Sequence, residues 1–161
     1  MEVIIPIGIS GSGKSRLYKM RYSDLTLVSP ELICKEMYGR INEYSKLNEV
    51  REEVSKRVDK LVESGESFYY DGYTIDSNRR KEFTDMFKGK NDIKVTYIIL
   101  PSDINISLKR IEEDIKNNVE RADVKEIILK FQLNLYKQSI ESGFKDENVQ
   151  EIIYLKPEDL N

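Results

Sequence analysis

The strongest chemical signal in the chain is Gly8-Ile9-Ser10-Gly11-Ser12-Gly13-Lys14-Ser15, which fits G-x-x-x-x-G-K-[S/T]. Gly8, Gly11 and Gly13 let successive N–H groups turn inward, so the stretch from Ser10 through Ser12 becomes an anion cradle for a β-phosphate. Lys14 then neutralises the β- and γ-phosphates, and the Ser15 hydroxyl suits Mg²⁺. A second candidate is Asp71, which closes the apolar run Phe68-Tyr69-Tyr70. A carboxylate at the C-terminal end of a strand faces the ligand crevice of an open α/β sheet. It can hold a Mg²⁺-bound water or an acceptor, or simply form an Asp-Gly turn with Gly72.

Other chemistries are excluded by composition. The chain has no His and a single cysteine, Cys34. Ser-His-Asp and Cys-His catalysis, multi-cysteine zinc sites and an internal disulfide framework are therefore ruled out. The net charge of −3 over 161 residues gives no global attraction to nucleic acid, so a polyanion needs a local basic groove. The main basic cluster is Arg79-Arg80-Lys81. It reads either as a contact to nucleic-acid phosphates or as a solvated helix face. Nearby Tyr69, Tyr70 and Tyr73 are candidates to stack a base, although alternation sends at least one of Tyr69 and Tyr70 into the core.

These residues need a scaffold. Residues 3–7 form a short continuous apolar run, as expected of a strand buried on both faces. A helix is expected over residues 14–22 and a strand over 25–28. Ser29-Pro30 then reads as an N-cap followed by a first-turn proline, opening a helix that runs to Tyr38 and ends at Gly39. Leu47, Val50, Val54, Val58 and Leu61 recur at helical spacing up to Gly65. A third strand is expected over 67–70, a charged helix over 76–88, and the strongest strand over 93–100. Leu108, Ile111 and Ile115 mark another helix. Val124, Ile127, Ile128, Phe131 and Leu135 mark a further one, before a last strand over 151–155. Strands alternating with helices imply βαβ crossovers and a parallel sheet, read here as a single α/β domain over residues 1–161. The mean hydropathy of −0.54 and strand-sized apolar runs imply no membrane span. With neither a secretory leader nor paired cysteines, the expected compartment is cytoplasmic.

Over nearly its whole length the chain resembles the kinase domain of bacteriophage-type polynucleotide 5′-kinases and the related small P-loop, AAA-like kinases. The resemblance is carried by the Gly8–Ser15 loop, by Ser29-Pro30-Glu31-Leu32-Ile33-Cys34 with the residues up to Gly39, and by Tyr70-Asp71-Gly72 through Arg79-Arg80-Lys81. It continues through Leu108-Lys109-Arg110 and the helix entry that starts at Arg121. It implies an adenylate-kinase-like five-stranded sheet in the order 2-3-1-4-5. It also implies ATP with Mg²⁺ as donor and transfer of the γ-phosphoryl group to a hydroxyl. By this resemblance Glu31 stands where the family has an aspartate base, and its bland alternative is a carboxylate favoured by the helix dipole. Cys34 stands where an arginine grips the acceptor phosphate. Arg110 matches the first lid arginine, and Asp114 stands at the second, with Lys116 or Arg121 as substitutes. Arg16, where the family has a small hydroxyl residue, either reaches a phosphate or faces solvent. Tyr73, Arg79 and Arg80 fall on the acceptor side. Residues 110–121 are expected to form a mobile lid.

Three functions follow in order of preference. The first is an ATP-dependent kinase for the 5′-hydroxyl of DNA or RNA. The second is a kinase for a nucleoside monophosphate or other small metabolite. The third is a nucleotide-binding regulatory module without turnover.

Overall fold

The computed structural model describes all 161 residues. β1 (Glu2–Ile7) lies at the centre of a five-stranded sheet, and its five residues after Glu2 are buried. It pairs in parallel with β3 (Phe68–Tyr70) on one side and β4 (Lys94–Ile99) on the other. β2 (Thr26–Val28) and β5 (Glu151–Tyr154) close the two edges, so the order is β2-β3-β1-β4-β5. Unbroken apolar runs therefore occupy the middle of the sheet, where both faces are covered.

Helices supply the crossovers. α1 (Lys14–Leu17) is a single α-turn that continues as a π-helical stretch over Tyr18–Tyr22, where a uniform helix was expected. α2 (Pro30–Tyr38) starts on the Ser29 cap, whose hydroxyl accepts from the Leu32 amide, and ends on left-handed Gly39. α3 (Leu47–Ser64) buries Val50, Val54, Val58 and Leu61, the expected stripe. α4 (Ser77–Asp85) is shorter than its sequence pattern. Asp76 is its N-cap, and consecutive bonds from Met86, Phe87 and Lys88 to the carbonyl three residues back unwind its end. α5 (Ile104–Lys116) starts on an Asp103 cap and ends before Asn118, a non-glycine residue at φ 57°.

α6 (Glu126–Ser142) turns a different face inward than its apolar residues suggest. Leu129, Gln132 and Ser139 are buried, whereas Ile127, Ile128 and Phe131 are exposed. Leu133, Leu135, Tyr136 and Ile140 pack against the core beside Leu129, and the Gln132 side chain reaches the Gly8–Ser15 loop.

Candidate active site

The Gly8–Ser15 loop joins β1 to α1, and its glycines are required by space and by backbone angle. Gly11 and Gly13 adopt φ of 77° and 107°. A Cβ on Gly8 would meet the Ser12 hydroxyl at 2.4 Å, and one on Gly11 would lie 3.0 Å from the Ser107 carbonyl oxygen.

Four distant elements hold the loop. The Ile9 amide donates to Ser102 Oγ (3.2 Å) and the Ser10 amide to Gln132 Oε1 (2.8 Å). Arg110 Nη1 donates to the Gly11 and Ser12 carbonyls, each at 3.1 Å. The buried Tyr69 donates its hydroxyl to the Lys14 carbonyl at 2.7 Å. These bonds brace the loop, and the first amides of α1 have no intrahelical acceptor.

Lys14 Nζ donates to the Gly8 and Ile9 carbonyls at 3.1 and 3.3 Å. Burial lowers its pKa, while the carboxylates of Asp71 and Glu31 pull it up and Arg121 pulls it down. Ser15 Oγ donates to Asp71 Oδ2 at 2.6 Å. The Asp71 amide is fixed to the Val28 carbonyl, which locks the carboxylate at the C-terminal end of β3. Gly72 follows because the Tyr70 ring lies where a Cβ would go, at 2.5 Å. A hydroxyl beside a carboxylate is a hard oxygen donor pair of the kind Mg²⁺ takes together with phosphate oxygens and water. No group of three or more His, Cys, Asp or Glu gathers there, so a cation on this pair would complete its shell with water and ligand oxygens. Ser15 and Asp71 thus fit the cation the loop motif implies.

Glu31 lies in the first turn of α2, facing the same crevice from the β2 side. Partial burial and then the charge of Asp71 raise its pKa above the usual carboxylate range, while Lys14 and Arg121 oppose the shift. Lys14, Asp71, Glu31 and Arg121 therefore share one electrostatic neighbourhood. Cys34, one turn further along, is buried in the core. Arg121 comes from the segment between α5 and α6. Its Nη1 donates to Asp114 Oδ2 at 2.7 Å, and its Nε is buried without a partner. Asp114 is thus the residue that orients Arg121. The segment expected as a lid divides, with 110–116 helical within α5 and the irregular stretch confined to 117–125.

Two acceptor-side expectations change. Arg80 is fully buried and makes a two-pronged ion pair with Glu147, with Nε and Nη2 at 2.8 and 3.0 Å from its oxygens. Its other donors go to the Thr74 and Ile75 carbonyls and Ser139 Oγ. All five guanidinium donors are taken, so Arg80 cannot grip an acceptor. Tyr69 is likewise enclosed, and Tyr70 stacks on Phe83 at 4.0 Å with its hydroxyl pushed up by burial to about 12. Tyr73, Arg79 and Arg16 remain exposed.

Gln132, Ser102 and Glu120 are site residues that sequence reasoning missed. Gln132 carried one signal, a polar residue between Leu129 and Tyr136 on a helix. Glu120 pairs with Lys35 and accepts from the Ile41 amide, tying the 117–125 segment to α2 and the turn after it.

No helix is long and apolar enough to cross a membrane. Solved structures similar to this chain include a proposed kinase from Chloroflexus aurantiacus, at 12% identity and TM-score 0.62, with 96% of this chain and 84% of that one covered. A chain of the Pnkp1/Rnl/Hen1 RNA repair complex matches at 14% identity and TM-score 0.69, covering 88% of this chain but 45% of its own. A gluconokinase from Sinorhizobium meliloti matches at 14% identity and TM-score 0.53, with 96% and 81% covered. At such identities the likeness is one of fold. No curated protein matches the sequence. The sequence profile of the AAA domain matches residues 3–138, and on that match the chain belongs to the AAA-domain family, with a P-loop kinase fold.

Proposed function

We propose that the chain transfers the γ-phosphoryl group of ATP to a hydroxyl presented to Glu31. The observation that carries this reading is the convergence of Lys14, the Ser15–Asp71 pair, Glu31 and Arg121 at one edge of the sheet. The loop amides and Lys14 bind the polyphosphate. Ser15 and Asp71 would hold Mg²⁺, which when bound offsets charge on the β- and γ-oxygens. Glu31 takes the proton of the acceptor hydroxyl. The acceptor oxygen then bonds to the γ-phosphorus, the bond from that phosphorus to the β,γ-bridging oxygen breaks, and ADP leaves. Arg110, fastened to the loop carbonyls, and Arg121, oriented by Asp114, are the guanidinium groups positioned to neutralise the transferring group. The irregular 117–125 segment, which carries Arg121, acts as the lid within one domain, while Arg110 stays on α5.

A second reading makes the acceptor the 5′-hydroxyl of a polynucleotide. It is favoured by exposed Tyr73 and Arg79, which follow Asp71 in the chain, and agrees with the fold likeness to the Pnkp1-containing complex. Radiolabel transfer from ATP to 5′-OH DNA, 5′-OH RNA and a nucleoside mixture tests both, with Glu31→Gln and Asp71→Asn as controls. Label on oligonucleotides selects the second reading. ATP bound without label on any hydroxyl overturns both, and leaves a nucleotide-binding module.

A further inference from the structure

Lys14 Nζ takes its two acceptors from consecutive peptide units, the Gly8 carbonyl at 3.1 Å and the Ile9 carbonyl at 3.3 Å. A peptide unit is planar and trans, so its N–H points away from its C=O. The N–H groups of these two units belong to Ile9 and Ser10. Each is held by a side chain from outside the loop. The Ile9 N–H donates to Ser102 Oγ at 3.2 Å, and the Ser10 N–H to Gln132 Oε1 at 2.8 Å. Both planes are thus pinned at both edges, with the Lys14 ammonium on one edge and a side-chain oxygen on the other.

The two side-chain oxygens are themselves held by the fold. Ser102 Oγ donates its own hydrogen to the Leu100 carbonyl at 3.4 Å, and the Tyr136 hydroxyl donates to that same carbonyl at 2.7 Å. Tyr136 and Gln132 stand four residues apart on α6 and so share a face of the helix. That face reaches both peptide units, through Gln132 directly and through Tyr136, Leu100 and Ser102 in turn. Gln132 is 6% exposed, and only its oxygen can accept from the Ser10 amide. An enclosed ammonium needs acceptors to stay charged. Enclosure lowers the pKa of Lys14, Asp71 and Glu31 raise it through space, and Arg121 lowers it. Hydrogen bonds from the ammonium to the two carbonyls favour the charged form, and an acceptor on a peptide N–H polarises the C=O at its other edge.

Resting on the reading of Lys14 as the cation for the β- and γ-phosphates, we propose that Ser102 and Gln132 are positioning residues for Lys14, acting through the Gly8–Ile9 and Ile9–Ser10 peptide units to hold its ammonium in place. Neither residue needs to touch the nucleotide for this. Each keeps a carbonyl turned toward Nζ, and loss of either oxygen frees one plane to rotate away from Lys14.

The test titrates the Lys14 side-chain resonances by NMR in the full chain without nucleotide, and measures ATP affinity by calorimetry. Gln132→Met keeps the side-chain length and removes the oxygen, and Ser102→Ala does the same for the other plane. Each should lower the pKa of Lys14 and weaken ATP binding about tenfold. The loss should grow as the pH rises, because the ammonium is charged only below its pKa. Gln132→Glu returns an oxygen to the Ser10 amide, so Lys14 should titrate at or above the parent value. Tyr69→Phe is the control. It removes the bond to the Lys14 carbonyl, leaves both planes pinned, and should leave the Lys14 titration unmoved. If Gln132→Met does not fold, Ser102→Ala, the smaller change, decides. Lys14 titrating as in the parent in both Gln132→Met and Ser102→Ala overturns the proposal. So does an equal fall in Tyr69→Phe, the sign of a loop loosened as a whole. The titration requires neither nucleotide nor acceptor, so failure of ATP to label any hydroxyl overturns the kinase reading and leaves this result standing.

Discussion

The two sides of the crevice are built by different means. On the donor side each turn of the Gly8–Ser15 loop is held by a bond from another element: Ser102 after β4, Arg110 on α5, Gln132 on α6 and Tyr69 on β3. On the side proposed for the acceptor Glu31 projects from an exposed helix turn, and α2 and the turn after it are joined to the 117–125 segment by two contacts of Glu120, with Lys35 and with the Ile41 amide. A triphosphate chain is flexible and must be ordered on binding, so a site that is already ordered adds no ordering cost of its own. An acceptor must enter, be enclosed and leave, and on the proposed acceptor side the contacts are exposed ion pairs that are individually weak.

The largest effect separating the sides belongs to Lys14. In Lys14→Ala, transfer should vanish and ATP affinity should fall by orders of magnitude, since a preorganised cradle would keep its shape without its cation. Calorimetry with ATP, beside a labelled transfer assay, reads both. Equal ATP affinity in variant and parent would break the contrast at its stronger end.

Next comes Glu31. Glu31→Gln should lower kcat by about 10²- to 10⁴-fold with ATP affinity nearly unchanged. The sign with pH follows from the raised pKa of this carboxyl. A base must be ionised to act, so kcat/KM should rise as pH climbs through a value above the ordinary carboxylate range. That acid limb should be missing in the glutamine variant. A parent profile whose acid limb lies below that range would remove Glu31 as the base.

The buried Arg80–Glu147 pair tests whether the donor side depends on packing far from the phosphates. Arg80 holds the Thr74 and Ile75 carbonyls, and Thr74 Oγ1 in turn donates to the Pro6 carbonyl of β1 at 2.5 Å. Arg80→Met strands a buried carboxylate and should cost about 3–5 kcal/mol in urea unfolding. The double variant Arg80→Met/Glu147→Gln should recover part of that loss. If the single variant were as stable as the parent, this pair would not anchor the turn after Asp71.

The smallest effect is expected at Glu120. Glu120→Ala frees the Ile41 amide and Lys35, so hydrogen exchange should quicken at Ile41 and across 117–125 while the Gly8–Ser15 loop is unmoved. Equal change on both sides would show that the crevice moves as one body.

Local sequence determined much of this. The phosphate loop is legible because its glycines answer a backbone demand that only glycine meets, φ of 77° and 107° at Gly11 and Gly13. The central strands are legible because burial on both faces leaves an unbroken apolar run, and the α2 start because Ser29-Pro30 is a cap with its own chemistry. The strand order agreed with that of the family the chain resembles. Tertiary structure alone decided the fate of the charges. Arg79 and Arg80 are neighbours of identical type, yet a helix sends one to solvent and the other into the core, where Glu147, 67 residues away, receives it. Asp114 occupies a position where an arginine was expected, and becomes intelligible only when Arg121 folds back onto it. Gln132 reads as an interruption in an apolar pattern until the Ser10 amide is found beside it. A charge or an amide is satisfied by whatever the fold brings within about 3 Å, and that partner leaves no mark on the residues next to it in sequence.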